Sequence, residues 1–148
     1  MKFPRLPKAA LKVPPGFKKP RVEDFKSDMQ RLGEDIAEEF KETIIENIKT
    51  NKYKFKLKQS TIDRKGSSTP LIDSGELLDA IYREETTVSV EDTPREDSGL
   101  TNKELAMVHE YGTKDKHIPA RPIWRKTYKD FKGSARNRIK NFLDSGEF

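Results

Sequence analysis

The chain contains no cysteine. That removes disulfide staples, thiolate metal sites and thiol nucleophiles. Histidine is nearly absent too, with only His109 and His117, and Trp124 is the single tryptophan. The eight glycines are scattered and build no phosphate-cradling loop. No stretch approaches the roughly 18 apolar residues of a membrane span, and the basic N-terminus lacks the apolar run of a secretory leader. No membrane partner is expected, and the protein should be made in a cytoplasm and stay soluble. Hydrophobic residues make up 32% of the 148 and charged residues 37%, so the core must be small. One domain with a tail is expected. A highly charged monomer satisfies this composition, and a subunit that completes its burial against neighbours satisfies it as well.

The net charge of +5 is the difference between 30 basic and 25 acidic residues. Such a mixed surface is compatible with nucleic acid or an acidic partner and requires neither. The excess is concentrated in residues 1–21, where Lys2, Arg5, Lys8, Lys12, Lys18, Lys19 and Arg21 occur without an acid. Pro4, Pro7, Pro14, Pro15 and Pro20 remove amide donors there, so an extended arm is expected rather than a helix or inner strand. Such an arm is suited to lie along a neighbouring subunit or along DNA. Residues 22–148 are expected to form a single α+β domain.

From residue 22 to 50 the period is helical. Phe25, Met29, Leu32, Ile36, Phe40, Ile44 and Ile48 follow at steps of three or four, with Asp24 as an expected N-cap. Lys52, Lys54, Lys56 and Lys58 then alternate with Tyr53, Phe55 and Leu57, the pattern of an amphipathic strand. Its lysine face is suited to phosphates, or simply to water at a sheet edge. Ser60 and Asp63 suggest one helical turn. Asp73 or Ser74 is expected to cap a short helix over about Gly75–Ile81. Arg83–Val90 reads as one strand and Leu105–Tyr111 as its returning partner, joined by the polar 91–102 connection and broken by Gly112. Pro119 and Pro122 lead into a last helix, with Pro122 at its first position. Trp124, Tyr128, Phe131, Ala135, Ile139 and Phe142 would form its apolar face, and Ser145-Gly146 its end. The order predicts an α+β fold: two long amphipathic helices and short helices on a small antiparallel sheet.

Candidate chemistry is thin. His109-Glu110 suggests a metal helix motif, but position 113 holds threonine where the second histidine should stand. On a strand, Glu110 would point away from His109, one toward a partner and the other toward the sheet. Asp73, Glu76 and Asp79 are acids of the kind that hold magnesium in nucleases, yet helix N-termini account for them. No catalytic residue, metal or cofactor is assigned. Arg121, between Pro119 and Pro122, is expected to tie its turn to an acid such as Glu110 or to form an intersubunit ion pair.

Four pieces occur in order. They are Leu57-x-x-Ser60-Thr61-Ile62-x-x-Lys65; Pro70-Leu71-Ile72-Asp73-Ser74-Gly75-Glu76-Leu77 with Ile81; His109-Glu110-Tyr111-Gly112-Thr113; and Ile118-Pro119-Ala120-Arg121-Pro122-Ile123. The ordered set resembles the tail-completion and virion morphogenesis proteins of tailed bacteriophages, over about residues 57–125. Ser74 stands where threonine is commoner in that family, and Trp124 where a smaller residue or leucine is. The resemblance implies a structural virion protein without enzyme activity, located at the neck or tail. It implies a homo-oligomeric ring contacting other neck, connector and tail-tube proteins, with DNA in the channel as a further contact. Asp73, Gly75, His109, Glu110, Gly112, Pro119, Arg121, Pro122 and Trp124 would then define turns and interfaces. Lys8, Lys12, Lys18, Lys19, Lys52, Lys54, Lys56 and Lys58 would contact DNA or other subunits. The alternative is a nucleic-acid-binding module built on the same arm and lysines.

Overall fold

A computed structural model describes residues 21–146 apart from 67, 73, 97 and 116. The arm with Lys8, Lys12, Lys18 and Lys19, and also Asp73, lie outside the described residues. The fold is α+β. Among the described residues its elements are α1 (Val22–Lys49), α2 (Gln59–Lys65), α3 (Glu76–Asp79), β1 (Ile81–Glu84), β2 (Thr87–Val90), α4 (Asn102–Tyr111) and α5 (Ile123–Ser145). None of these helices is long and apolar enough to cross a membrane.

The helix α1 follows its apolar period, but its N-cap is Arg21, with no side-chain cap, and Asp24 sits inside the first turn. Burial deepens along the helix, from an exposed Val22 to fully buried Ile44 and Ile48. The helix α5 runs antiparallel to it: Phe25 meets Phe142 at 6.0 Å, Phe40 meets Phe131 at 5.2 Å, and Asn47 meets Thr127. Arg138 and Glu39 bridge the pair at 2.6 Å. The core gathers at the C-terminal end of α1, where Ile44 and Ile48 pack with Leu77, Ile81, Val90, Ala106 and Ile123. On α5 the buried positions are Ile123 and Thr127, while Tyr128 and Ile139 of the expected apolar face are exposed.

Several sequence expectations are corrected. The sheet is one tight hairpin, β1 against β2 with Ile81 opposite Val90 and Glu84 opposite Thr87, so Arg83–Val90 is two strands rather than one. Its turn places Glu85 at φ 49°, a left-handed conformation without the usual glycine or asparagine. The expected return strand Leu105–Tyr111 is helical. Thr101 and Glu104 close a capping box that starts α4, and the local chain satisfies its own amides before any strand partner is reached. The 91–102 connection therefore joins a strand to a helix. Lys52–Lys58 adds no third strand. Asn51 receives the Phe55 amide and donates to its carbonyl, at 3.0 and 2.9 Å, and this bends the chain after α1. The predicted sidedness survives the bend: the four lysines are exposed, while Tyr53, Phe55 and Leu57 are half-buried. The helix α2 starts after Lys58 rather than at Ser60. The short helix α3 is capped at Gly75 and stops before Ile81, which belongs to β1.

One buried polar pair had no signal in the apolar period. Asn47 Nδ2 donates to Thr127 Oγ1 at 2.9 Å, and both residues are buried. Replacing Thr127 with valine keeps the shape and strands the Asn47 amide. The variant should lose about 1–3 kcal/mol of stability by urea denaturation, and an unchanged midpoint would show that this pair does not help dock α5.

Candidate functional site

The residues from His109 to Trp124 form a clasp between α4 and α5. Gly112 ends α4 with its amide on the Val108 carbonyl, at φ 74° and ψ −179°, a conformation essentially reserved for glycine. A Cβ at Gly112 would lie 2.8 Å from both Ala120 N and Ile118 O, so backbone crosses backbone here. The Thr113 amide donates to Ile118 O at 3.0 Å, and the Ile118 amide donates back to Thr113 Oγ1 at 3.1 Å. The Arg121 amide closes the loop onto the His109 carbonyl at 2.6 Å. Pro122 then takes the N-cap position of α5, one residue before the first helical position expected for it.

Glu110 holds the clasp shut. Its side chain is only 6% exposed and accepts the Trp124 and Arg125 backbone amides at 3.0 and 3.2 Å. These are orphan amides of the first turn of α5, and an anion at that end also meets the positive pole of the helix. Arg125 Nε adds a bond at 2.8 Å, and Arg125 Nη2 donates to the Glu110 carbonyl at 3.1 Å. Tyr111 lies under the Arg125 guanidinium, 5.0 Å from its centre. Glu110 therefore pairs with Arg125 and the helix end rather than with Arg121, the expected partner. Because α4 is a helix, His109 and Glu110 are neighbours on its inner side and do not face opposite ways. Trp124 contributes its amide to the clasp and packs its side chain half-buried against the core.

Arg121 is buried, 8% exposed, and its Nε has no acceptor among the described residues. Its Nη1 lies 3.4 Å from His109 Nδ1. Arginine only donates, so this contact requires an unprotonated Nδ1 and places the ring proton on Nε2. Burial first, and then the positive charges of Arg121, Lys65 and Arg95, pull the His109 pKa down to about 4. Burial alone lowers that of Arg121. His117 sits apart, exposed beside Asp115 at 3.2 Å. Among the described residues no group of three His, Cys, Asp or Glu side chains could hold a metal ion.

Next to the clasp, α2, α3 and the clasp loop surround a cavity of about 390 Å³. Lys56, Lys58, Arg64 and Arg121 reach it, with Leu71 and Leu77 among its apolar lining. Leu71 is held there at φ 67°. Arg95 also lines it, already engaged by Glu76 at 3.2 Å and by the Asn102 side-chain oxygen at 3.0 Å. Gly75 enters the cavity wall through its left-handed cap of α3, at φ 93°. Ser74 Oγ accepts the Glu76 amide at 3.5 Å. The lysine row is divided by the fold: Lys56 and Lys58 face this cavity, whereas Lys52 lies 3.6 Å from Asp130 on α5. Comparison with protein-family models, with curated proteins and with solved structures finds no match.

Two outcomes follow from the clasp. Glu110→Ala leaves amides of α5 without an acceptor and should destabilise the protein by about 2–4 kcal/mol in denaturant titration. A loss below about 0.5 kcal/mol would mean that the clasp does not depend on this carboxylate. The His109 pKa is depressed on folding, so the unfolded chain takes up the proton first as the medium is acidified. The stability tied to a neutral His109 is complete above pH 6.5 and drains away as pH falls toward about 4. Across that window the wild type should lose up to about 3 kcal/mol more than His109→Gln, which keeps an acceptor for Arg121. Parallel stability profiles for the two proteins would remove His109 as the source.

Proposed function

We propose that this chain is a structural virion protein of a tailed bacteriophage. In this reading it is a tail-completion subunit that assembles as a ring at the head–tail junction and joins tail to connector. The observation that carries the reading is where the family-like residues converge. Glu110, Gly112, Pro119, Arg121 and Pro122 all serve one clasp that fixes α4 against α5. Both oxygens of Glu110 are occupied by helix amides and Arg125, so its work is to hold geometry.

The surface supports assembly. Met107 and Tyr111 on α4 are 55% and 63% exposed, and they border an open groove with Val88 and Val90 of β2. β2 pairs with β1 alone among the described residues, and its Val88, Ser89 and Val90 line that groove. The partners in this reading are further copies of the chain, connector and tail-tube proteins, and DNA within the channel. The place of action is the virion. The second reading, a nucleic-acid-binding module, draws on exposed Lys54, Lys56, Lys58 and Arg64, of which all but Lys54 line the cavity beside the clasp. It requires the free subunit to bind DNA with a steep dependence on salt.

The wild type should form a discrete ring-sized species by light scattering and negative-stain microscopy. Met107→Lys should shift it to monomer while keeping its thermal midpoint, and antibody against the chain should label the virion neck. A wild type that stays monomeric with and without connector and tail-tube proteins, together with unlabelled necks, would sink the reading.

A further inference from the structure

The cavity beside the clasp contains a charge that no carboxylate among the described residues compensates. Arg121 is buried, and among the described residues its Nε has no acceptor while its Nη1 meets the unprotonated nitrogen of His109. No carboxylate among the described residues pairs with it. A guanidinium taken out of water without a counter-anion is unfavourable, yet the clasp holds this one firmly. Its amide is fixed on the His109 carbonyl, and prolines stand on both sides of it in the loop. The backbone that carries the guanidinium is therefore held in place before an anion arrives.

We propose that this cavity is a binding site for an oxyanion, a carboxylate or phosphate group carried on a small apolar body, with Arg121 as its principal counter-cation. The planar guanidinium suits both groups, because each offers two oxygens at the spacing of its donors. Exposed Lys56, Lys58 and Arg64 at the rim draw the anion in. An apolar body suits Leu57, Leu71 and Leu105, half-buried side chains of the lining that a bare inorganic ion would leave in contact with water. The volume of about 390 Å³ falls in the range of small-ligand sites. The oxyanion has two sources that share this chemistry: a free small molecule, or an acidic side chain of a second copy of the chain. The ring reading is tested by ring formation and the site by binding of phenyl phosphate, so the failure of one is told apart from the failure of the other.

The test follows the Arg121 Nε–H resonance of the ¹⁵N-labelled full chain while phenyl phosphate is added at ionic strength held constant with sodium chloride. A saturable shift is expected, with inorganic phosphate binding at least about fivefold more weakly because it leaves the apolar lining uncovered. The double variant K56Q/R64Q, checked as folded by its thermal midpoint, should weaken phenyl phosphate by about fivefold or more. A shift that grows with protein concentration in the absence of added anion also supports the proposal and names the second copy as the source. A resonance unmoved by phenyl phosphate and by protein concentration overturns it. So does an affinity for phenyl phosphate that is the same in the double variant.

Discussion

The carboxylate of Glu110 bound to the first amides of α5 is the contact on which the rest of the molecule depends. It fixes where α5 begins and therefore which residues of α5 meet α1. With the start at Ile123, that residue drops into the core and Thr127 arrives opposite Asn47 one turn later. Phe131 and Phe142 then fall against Phe40 and Phe25. A different start would rotate all of these by about 100° per residue. The bond is charge-assisted, half-buried and made to backbone, and such bonds are among the stronger ones available to a protein. Gly112 makes it reachable, because the chain doubles back so tightly that no side chain fits at that turn.

The fold around the clasp is stable at one end and open at the other. Burial along α1 is complete at Ile44 and Ile48 and partial at Phe25, Met29 and Leu32. The distal ends of α1 and α5 are held by aromatic contacts and by a partly exposed Arg138–Glu39 pair, which contributes about 1 kcal/mol at most in water. Small cores of this kind gain from further burial against another chain. The exposed Met107 and Tyr111, beside a strand that pairs with β1 alone among the described residues, offer one surface for it.

The sequence was legible where one local rule acted alone. The period of α1, the arrest of α5 at Gly146 and the two-sidedness of residues 52–58 all follow from spacing of apolar residues and from a left-handed glycine. It misled where two signals competed. Leu105–Tyr111 has enough apolar residues for a strand, but Thr101 and Glu104 stood in capping-box register and carried the segment into a helix. That signal is present in the sequence, in Thr101 and Glu104 three residues apart. The hairpin turn at Glu85 had no signal to read, since glutamate rarely takes a left-handed φ, and tertiary packing of Ile81 and Val90 imposed it. At the site, the turn-forming roles of Gly112 and the proline pair were readable. The partner of Glu110 was not, because pairing it with Arg125 requires knowing that α4 is helical.

The state of Arg121 depends on the same helix. On a strand, Glu110 would have been its natural counter-ion; in the folded chain that carboxylate is spent on α5. The clasp therefore brings a cation inside and assigns its expected anion elsewhere. His109 cannot take the anion's place, because a ring held neutral offers a lone pair and no charge. Nor does Arg121 readily escape to solvent, since its amide is bonded to His109 and its loop is stiffened by Pro119 and Pro122. A lysine in its place would shed its proton at modest cost when buried, whereas arginine keeps its charge under all ordinary conditions. The residue at this position thus carries a permanent, partly desolvated positive charge facing a cavity. The physical sense of that arrangement lies in what an oxyanion entering the cavity would gain.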